Sequence, residues 1–255
     1  MSKTNEIVTS VIIAIGNELL SGRTKDKNIG YLAEKLTQNG IEVKEVRIIS
    51  DNEEAIVSTI QSMMRQYDYV FTSGGIGPTH DDITAPSIAK AVGRRCIYDP
   101  RAEKLLADFY ASRQTDYTPA RRQMARMPEN STLIKNVVSV APGFIVDNIY
   151  VMAGVPQIFQ AMVDEIMPTL KKGTLMLSRS IPCPFGEGII GTSLAKIQDD
   201  NPETEIGSYP HYESDAFSLE LVIRSRNEHA LDKTFQEIQK MIKNLNEKKS
   251  LDKEF

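Results

Sequence analysis

Between Ile7 and Ser73 the chain alternates three apolar, β-branched runs with two helix-period segments, and the connections between them are short. That order constrains the fold more than any other feature: strand, helix, strand, helix, strand argues for a parallel sheet with helices on both faces. Ile7–Ile15 reads as a buried strand that Gly16 breaks. From Lys27 to Asn39 the apolar residues Ile29, Leu32, Ala33 and Leu36 recur at helical spacing, and Gly40 is placed to end the helix. The run IEVKEVRIIS is the next strand. Ser50 or Asp51 is expected to cap the second helix, with Glu53 or Glu54 closing a capping box. Ile56, Ile60, Met63, Met64 and Tyr67 give that helix its buried face, and Tyr69–Ser73 is the third strand.

The third strand leads into an unusual segment. FTSGGIGPTHDDIT, Phe71 to Thr84, spends three glycines, a proline, a histidine and two adjacent aspartates before a helical pattern resumes. In an open parallel sheet, ligands bind outside the carboxyl ends of the strands, where loops enter helices. Missing side chains at Gly74, Gly75 and Gly77 would let the backbone after Ser73 approach a ligand closely, and exposed N–H groups there favour a phosphate or other anion. The aspartates need a separate reason, because carboxylates repel phosphate. Asp81 and Asp82 are the residue types that hold a divalent cation against phosphate oxygens, and His80 could orient a water or donate to a leaving oxygen. The blander reading makes Asp82 a cap for a helix starting near Thr84.

Two more segments are expected at the same sheet edge. Gly16-Asn17-Glu18 comes directly after the first strand; Glu18 could face a metal, while Asp26 and Asn28 could meet a polar ligand or simply form a turn and a cap. In MAGVPQIF, Gly154 and Pro156 link a strand to a helix, and the backbone at Gly154 could line the pocket; Val155 and Phe159 read as core. Thr79 completes the expected ligand-binding set.

Further helices are expected at Thr84–Val92, Pro100–Gln114 (capped by Asp99), TPARRQMARMPENS and VPQIFQAMVDEIMPTL, with a hairpin turning at Asp147-Asn148. The pattern changes around Lys171-Lys172-Gly173. A strand in LMLSRSIPC, a helix in GEGIIGTSLAKIQDD, strands in TEIGSYP and AFSLELVIRS and a helix from His229 to Asn246 read as a small α+β domain. The division expected is therefore residues 1–171 and 172–255.

The chain has 255 residues, is 41% hydrophobic and 25% charged, and carries a formal net charge of −4, values of a globular protein without a broad footprint for nucleic acid. Two distant cysteines, Cys96 and Cys183, make no disulfide framework or metal motif. With no apolar run of the roughly 20 residues a membrane span needs and no secretory signal, a cytoplasmic location is expected. Gly188-Ile189-Ile190-Gly191 matches the GXXG of KH modules formally, but its isoleucines look like a buried helix face, so nucleic-acid binding through the small domain is the remote alternative.

TSGGIGPTHDDIT, with GNELLSGRTKDKN upstream, APGF at Ala141–Phe144 and AGVP at Ala153–Pro156, resembles the MoaB/Mog (MoCF) molybdopterin-binding fold, closest to the N-terminal part of the competence/damage-inducible protein A (CinA) family. The resemblance runs strongly over residues 7–170, and SYP at Ser208–Pro210 extends it into that family's second domain. It implies a three-layer α/β/α domain with a mostly parallel sheet, a pocket for a pterin or nucleotide phosphate, and a homo-oligomer. It also implies a divalent-metal-dependent (Mg, Mn or Co) pyrophosphatase acting on ADP-ribose, FAD or a related nucleotide diphosphate, with molybdopterin binding or adenylylation as the alternative. Full-length relatives carry a further nicotinamide mononucleotide amidase domain, an activity not expected of this sequence. The sequence departs from the family pattern at Met152-Ala153, where many relatives read Leu-Pro, and at Asn17, where some molybdenum-handling relatives carry Asp.

Overall fold

A computed structural model describes residues 6–213 and 216–251. The chain divides into two compact units, one spanning Glu6–Gly173 and one containing the residues from Thr174 onward.

The first unit runs β1 (Val8–Ile15), α1 (Asn17–Leu20), α2 (Ile29–Gln38), β2 (Ile41–Ile49), α3 (Glu53–Met63), β3 (Tyr69–Ser73), α4 (Thr84–Ala91), β4 (Cys96–Tyr98), α5 (Pro100–Ser112), α6 (Pro119–Arg122), β5 (Arg126–Pro128), β6 (Thr132–Ile134), β7 (Gly143–Val146), β8 (Ile149–Met152) and α7 (Pro156–Ile166). Six strands form one sheet in the order β2-β1-β3-β8-β7-β6. β1 pairs in parallel with β2 and β3, and β3 in parallel with β8, while β7 and β6 return antiparallel. β1 is apolar on both faces because both are covered. Val11, Ile13 and Ile15 pack in one core with α3 and α4, whereas Val8 and Ile12 pack in the other with α2 and α7. The mostly parallel, doubly covered sheet read from the sequence is the fold observed.

Local boundaries differ from the expected ones for identifiable reasons. Asn52 caps α3, its side chain accepting from the Ala55 amide at 3.1 Å. Asp51 is occupied elsewhere, accepting from the Asn17 amide at 2.8 Å. Glu53 and Glu54 then fall in the first turn of the helix, and the expected capping box has no place. The TPARRQMARM segment is helical only to Arg122, continues as a 3-10 turn and becomes β5, which pairs with β4. Val155 is 56% exposed, contrary to its assignment as core, whereas Phe159 is fully buried as expected.

The second unit comprises β9 (Leu177–Cys183), α8 (Glu187–Asp200), β10 (Glu205–Glu213), β11 (Ala216–Ser225) and α9 (Glu228–Leu251). Its three strands form an antiparallel sheet in the order β10-β11-β9. Cys183, Leu219, Leu221 and Ile223 pack against Ile190, Leu231 and Ile238 of the two helices. The Gly188–Gly191 segment lies inside α8, with Ile190 buried and Ile189 61% exposed, so only one of the two isoleucines forms core.

Candidate functional site: a glycine-floored, carboxylate-lined cleft

β1, β3 and β8 run in parallel and end in register, Ser73 lying beside both Ala14 and Met152. The three chains leave the sheet side by side, and glycines let them touch backbone to backbone. Gly74 has φ 109°, and its amide donates to the Met152 carbonyl at 3.0 Å. A Cβ there would sit 2.3 Å from the Ile15 carbonyl oxygen, and one on Gly154 would press the Gly74 Cα at 3.2 Å. No other residue type fits this crossing.

Asn28, at the start of α2, ties the loops together from behind. It is 5% exposed, and its carboxamide nitrogen donates to Ser73 Oγ and to the Gly154 carbonyl, both at 2.8 Å. Asp26 fixes Asn28 in turn, accepting from the amides of Asn28 and Ile29 at 3.2 and 2.9 Å. Gly75, with φ 70°, closes the loop onto α4: its carbonyl accepts from the Thr84 amide at 2.9 Å, and a Cβ would lie 2.0 Å from Thr84 Oγ1.

The acidic stretch is a folded loop. Asp82 Oδ2 accepts from the Thr79 amide at 2.8 Å and from its hydroxyl at 2.5 Å, and lies 2.6 Å from where a Cβ on Gly77 would be. Arg126 reaches the Asp82 carbonyl at 3.2 Å. α4 begins after Ile83 with no side-chain cap, so Asp82 spends its carboxylate on its own loop and not on the helix. The Thr79 hydroxyl, foremost, holds the neighbouring Asp81 carboxyl below the usual carboxylate range.

Above this floor is a cleft of about 560 Å³, lined by Gly74–Pro78, Gly154 and the carboxylate residues Glu18, Asp51, Asp81 and Asp82, with Met124, Asn136, Ser139, Pro142 and Ile158 on the remaining walls. Of the expected site residues, Glu18, Gly74, Gly75, Gly77, Asp81, Asp82 and Gly154 are brought together here. Gly16, Asn17, Asp26, Asn28, Ser73, Thr79 and Pro156 lie outside the lining and support it. Gly16, for example, leaves room for the Glu18 carboxylate, which would lie 2.6 Å from a Cβ at that position. Pro156 opens α7. His80 also lies outside the lining; its side chain is 99% exposed and its Nδ1 is 4.0 Å from Asp81 Oδ1.

Three polar residues of the cleft, Asp51, Asn136 and Ser139, have no counterpart among the site residues expected from the sequence. Asp51 lies just past β2, whose end neighbours that of β1, so the strand-end argument that selected Gly16 and Gly74 applies to it as well. Asn136 and Ser139 belong to an irregular segment. Asn136 organises it, accepting from the Val138 and Ser139 amides and donating to the Ala141 carbonyl, and the segment holds the β-branched Val140 at φ 65°.

Among the described residues no three His, Cys, Asp or Glu side chains converge closely enough to form a protein-only metal cage. The donor chemistry fits a different arrangement. A magnesium-like ion uses one or two carboxylates and completes its shell with water and ligand phosphates.

A glycine-floored cleft outside the carboxyl ends of the strands of a doubly covered, mostly parallel sheet is where α/β proteins of this class carry their ligand sites. Residues 11–172 match the family model described as "probable molybdopterin binding domain", and the chain belongs to that family. Residues 175–249 match the model of the FAD synthase middle domain. A protein of Pyrobaculum calidifontis is 31% identical over 256 residues, covering 92% of this chain and 96% of its own. A protein named competence-damage inducible protein, from Streptococcus gordonii, is 32% identical over 91% of this chain, which spans 56% of that relative's length. The crystal structure of CinA from Thermoplasma acidophilum, titled as of unknown function, superposes with a TM-score of 0.60 at 30% identity, covering 64% of this chain and 98% of that one. Among the described residues no helix is long and apolar enough to cross a membrane.

Proposed function

We propose that the cleft binds a nucleotide diphosphate of the ADP-ribose or FAD class and hydrolyses its pyrophosphate bridge with the help of a divalent cation. The observation that carries this reading is the meeting of Gly74, Gly75 and Gly77 with Glu18, Asp51, Asp81 and Asp82 in one cleft. Backbone amides at a strand-to-helix crossing favour an anion, whereas four carboxylates repel one. A cation between the two relieves the conflict. Asp81 and Asp82, with Glu18 or Asp51 near them, are the residues that would hold it; such an ion neutralises phosphate charge and polarises the phosphoryl group. The Gly75 and Gly77 amides would orient the diphosphate, and the apolar wall of Met124, Pro142 and Ile158 would exclude water from one side of the ligand. Hydrolysis adds water across the P–O–P bridge and gives AMP with a second phosphate monoester. The match of residues 175–249 to the FAD synthase middle domain supports a nucleotide substrate over a pterin; binding or adenylylation of molybdopterin is the second reading, supported by the family of residues 11–172.

The test is incubation of the protein with ADP-ribose, FAD and a panel of Mg, Mn and Co salts, following AMP release, alongside Asp82→Asn and Asp81→Asn. Wild-type turnover that needs metal, reduced at least tenfold in Asp82→Asn while nucleotide affinity changes little, is the expected outcome. Full activity in Asp82→Asn would end the metal-site reading, and wild-type protein that binds the nucleotides without releasing AMP would favour a binding role.

A further inference from the structure

β2 is the outermost strand of the six-stranded sheet and is bonded on one side only, to β1. The Ile49 carbonyl accepts from the Gly16 amide and so faces β1. Alternation along the strand then turns the N–H and C=O groups of Val46 and Ile48 toward the open edge. The register with β1 slips once, Val43 opposing Ser10 and Glu45 opposing Val11, so Lys44 is the extra residue and Glu45–Ile49 is the regular part of the edge. Val46 and Ile48 share one face of it and are 43% and 42% exposed. Sheet edges are ordinarily guarded by proline, by short length or by charge. This one has nine residues without proline or glycine; four of them are charged, but Glu45 and Arg47 are of opposite sign two positions apart, and between and beyond them Val46 and Ile48 leave two β-branched side chains open.

We propose that this edge takes β2 of a second copy of the chain, antiparallel, about a two-fold axis through Val46. An axis normal to the sheet keeps the two faces of each strand in common, so only registers that set even-numbered residues against even-numbered ones are allowed. Centring the axis on Glu45 opposes two glutamates, and centring it on Arg47 opposes two arginines, both unfavourable. Centring it on Val46 sets Glu45 against Arg47 of the second copy and Arg47 against its Glu45. Within one chain Arg47 Nε already donates to Glu45 Oε1 at 2.6 Å, so two such pairs would join into a ring of alternating charge. On the other face the two Val46 side chains meet across the axis. The outward amides of Val46 supply a hydrogen-bonded pair at the axis. A ladder this short buries less than the roughly 1,200 Å² of a stable interface, so the dimer forms and dissociates with concentration. The inference does not depend on what the cleft binds.

Light scattering and sedimentation of the full chain over a concentration series test it. The wild-type mass should rise from monomer toward dimer. Val46→Lys, which puts two like charges at the axis, should stay monomeric over that range with an unchanged melting curve. Arg47→Glu should weaken association, and Glu45→Arg with Arg47→Glu should restore it. A wild-type chain that is monomeric throughout, a Val46→Lys chain with the wild-type mass profile, or an Arg47→Glu chain that associates as well as wild type would each overturn the proposal.

Discussion

The carboxamide nitrogen of Asn28 donates to the main-chain carbonyl of Gly154 at 2.8 Å, joining the start of α2 to the loop after β8 across 126 positions of sequence. The same nitrogen holds Ser73 Oγ, so one side chain sets how closely two cleft loops approach. Asn28→Asp keeps the shape and reverses the polarity, leaving a buried oxygen against the Gly154 carbonyl. A loss of about 1–3 kcal/mol is expected in urea unfolding. An unchanged midpoint would mean that the loops are held by other contacts.

Gly75 serves the fold as well as the cleft. Its φ of 70° and the Thr84 hydroxyl, 2.0 Å from where a Cβ would lie, make any side chain there costly whether or not a ligand is present. Gly75→Ala should lower stability by more than about 1 kcal/mol. Gly77→Ala is the cleaner probe of the cleft, because the atom it meets is the movable end of Asp82. Equal melting temperatures for wild type and Gly75→Ala would show that α4 yields to the added methyl group.

Much of this organisation is legible in the sequence because it rests on local rules. The alternation of apolar runs fixes the parallel core, and glycines placed directly after strands mark the edge at which the cleft opens. The features that are not legible depend on contacts between distant segments. Ser50, Asp51 and Asn52 are all competent helix caps; Asn52 has the role because Asp51 is engaged by the Asn17 amide, a choice no local pattern encodes. Asn28 looks like a ligand-facing amide until the structure buries it between two loops. Val140 gives no hint in sequence of its left-handed backbone, since the residues that impose it are drawn together by Asn136.

Asp99 yields a pH-dependent prediction whose sign is set by its partners. It is 4% exposed, caps α5 by accepting from the Arg101 amide at 2.9 Å, and takes the Arg101 guanidinium on both oxygens at 3.0 and 2.7 Å. The Arg101 side chain, foremost, holds the carboxyl below its ordinary value of 3.8 in the folded protein. A carboxyl depressed in the folded state binds its proton more readily in the unfolded chain. Its contribution is therefore complete above the unfolded value and is lost as pH falls through the folded one. Asp99→Asn caps the helix about as well but cannot pair with the guanidinium. Because Arg101 is 57% exposed, solvent screens the pair, and the deficit expected at pH 7 is only about 1 kcal/mol. Chemical denaturation of both proteins at pH 7 and at about pH 2.5, below the ordinary carboxylate range, should show a smaller deficit in acid. A deficit of the same size at both pH values would place the effect of Asp99 in packing and not in its charge.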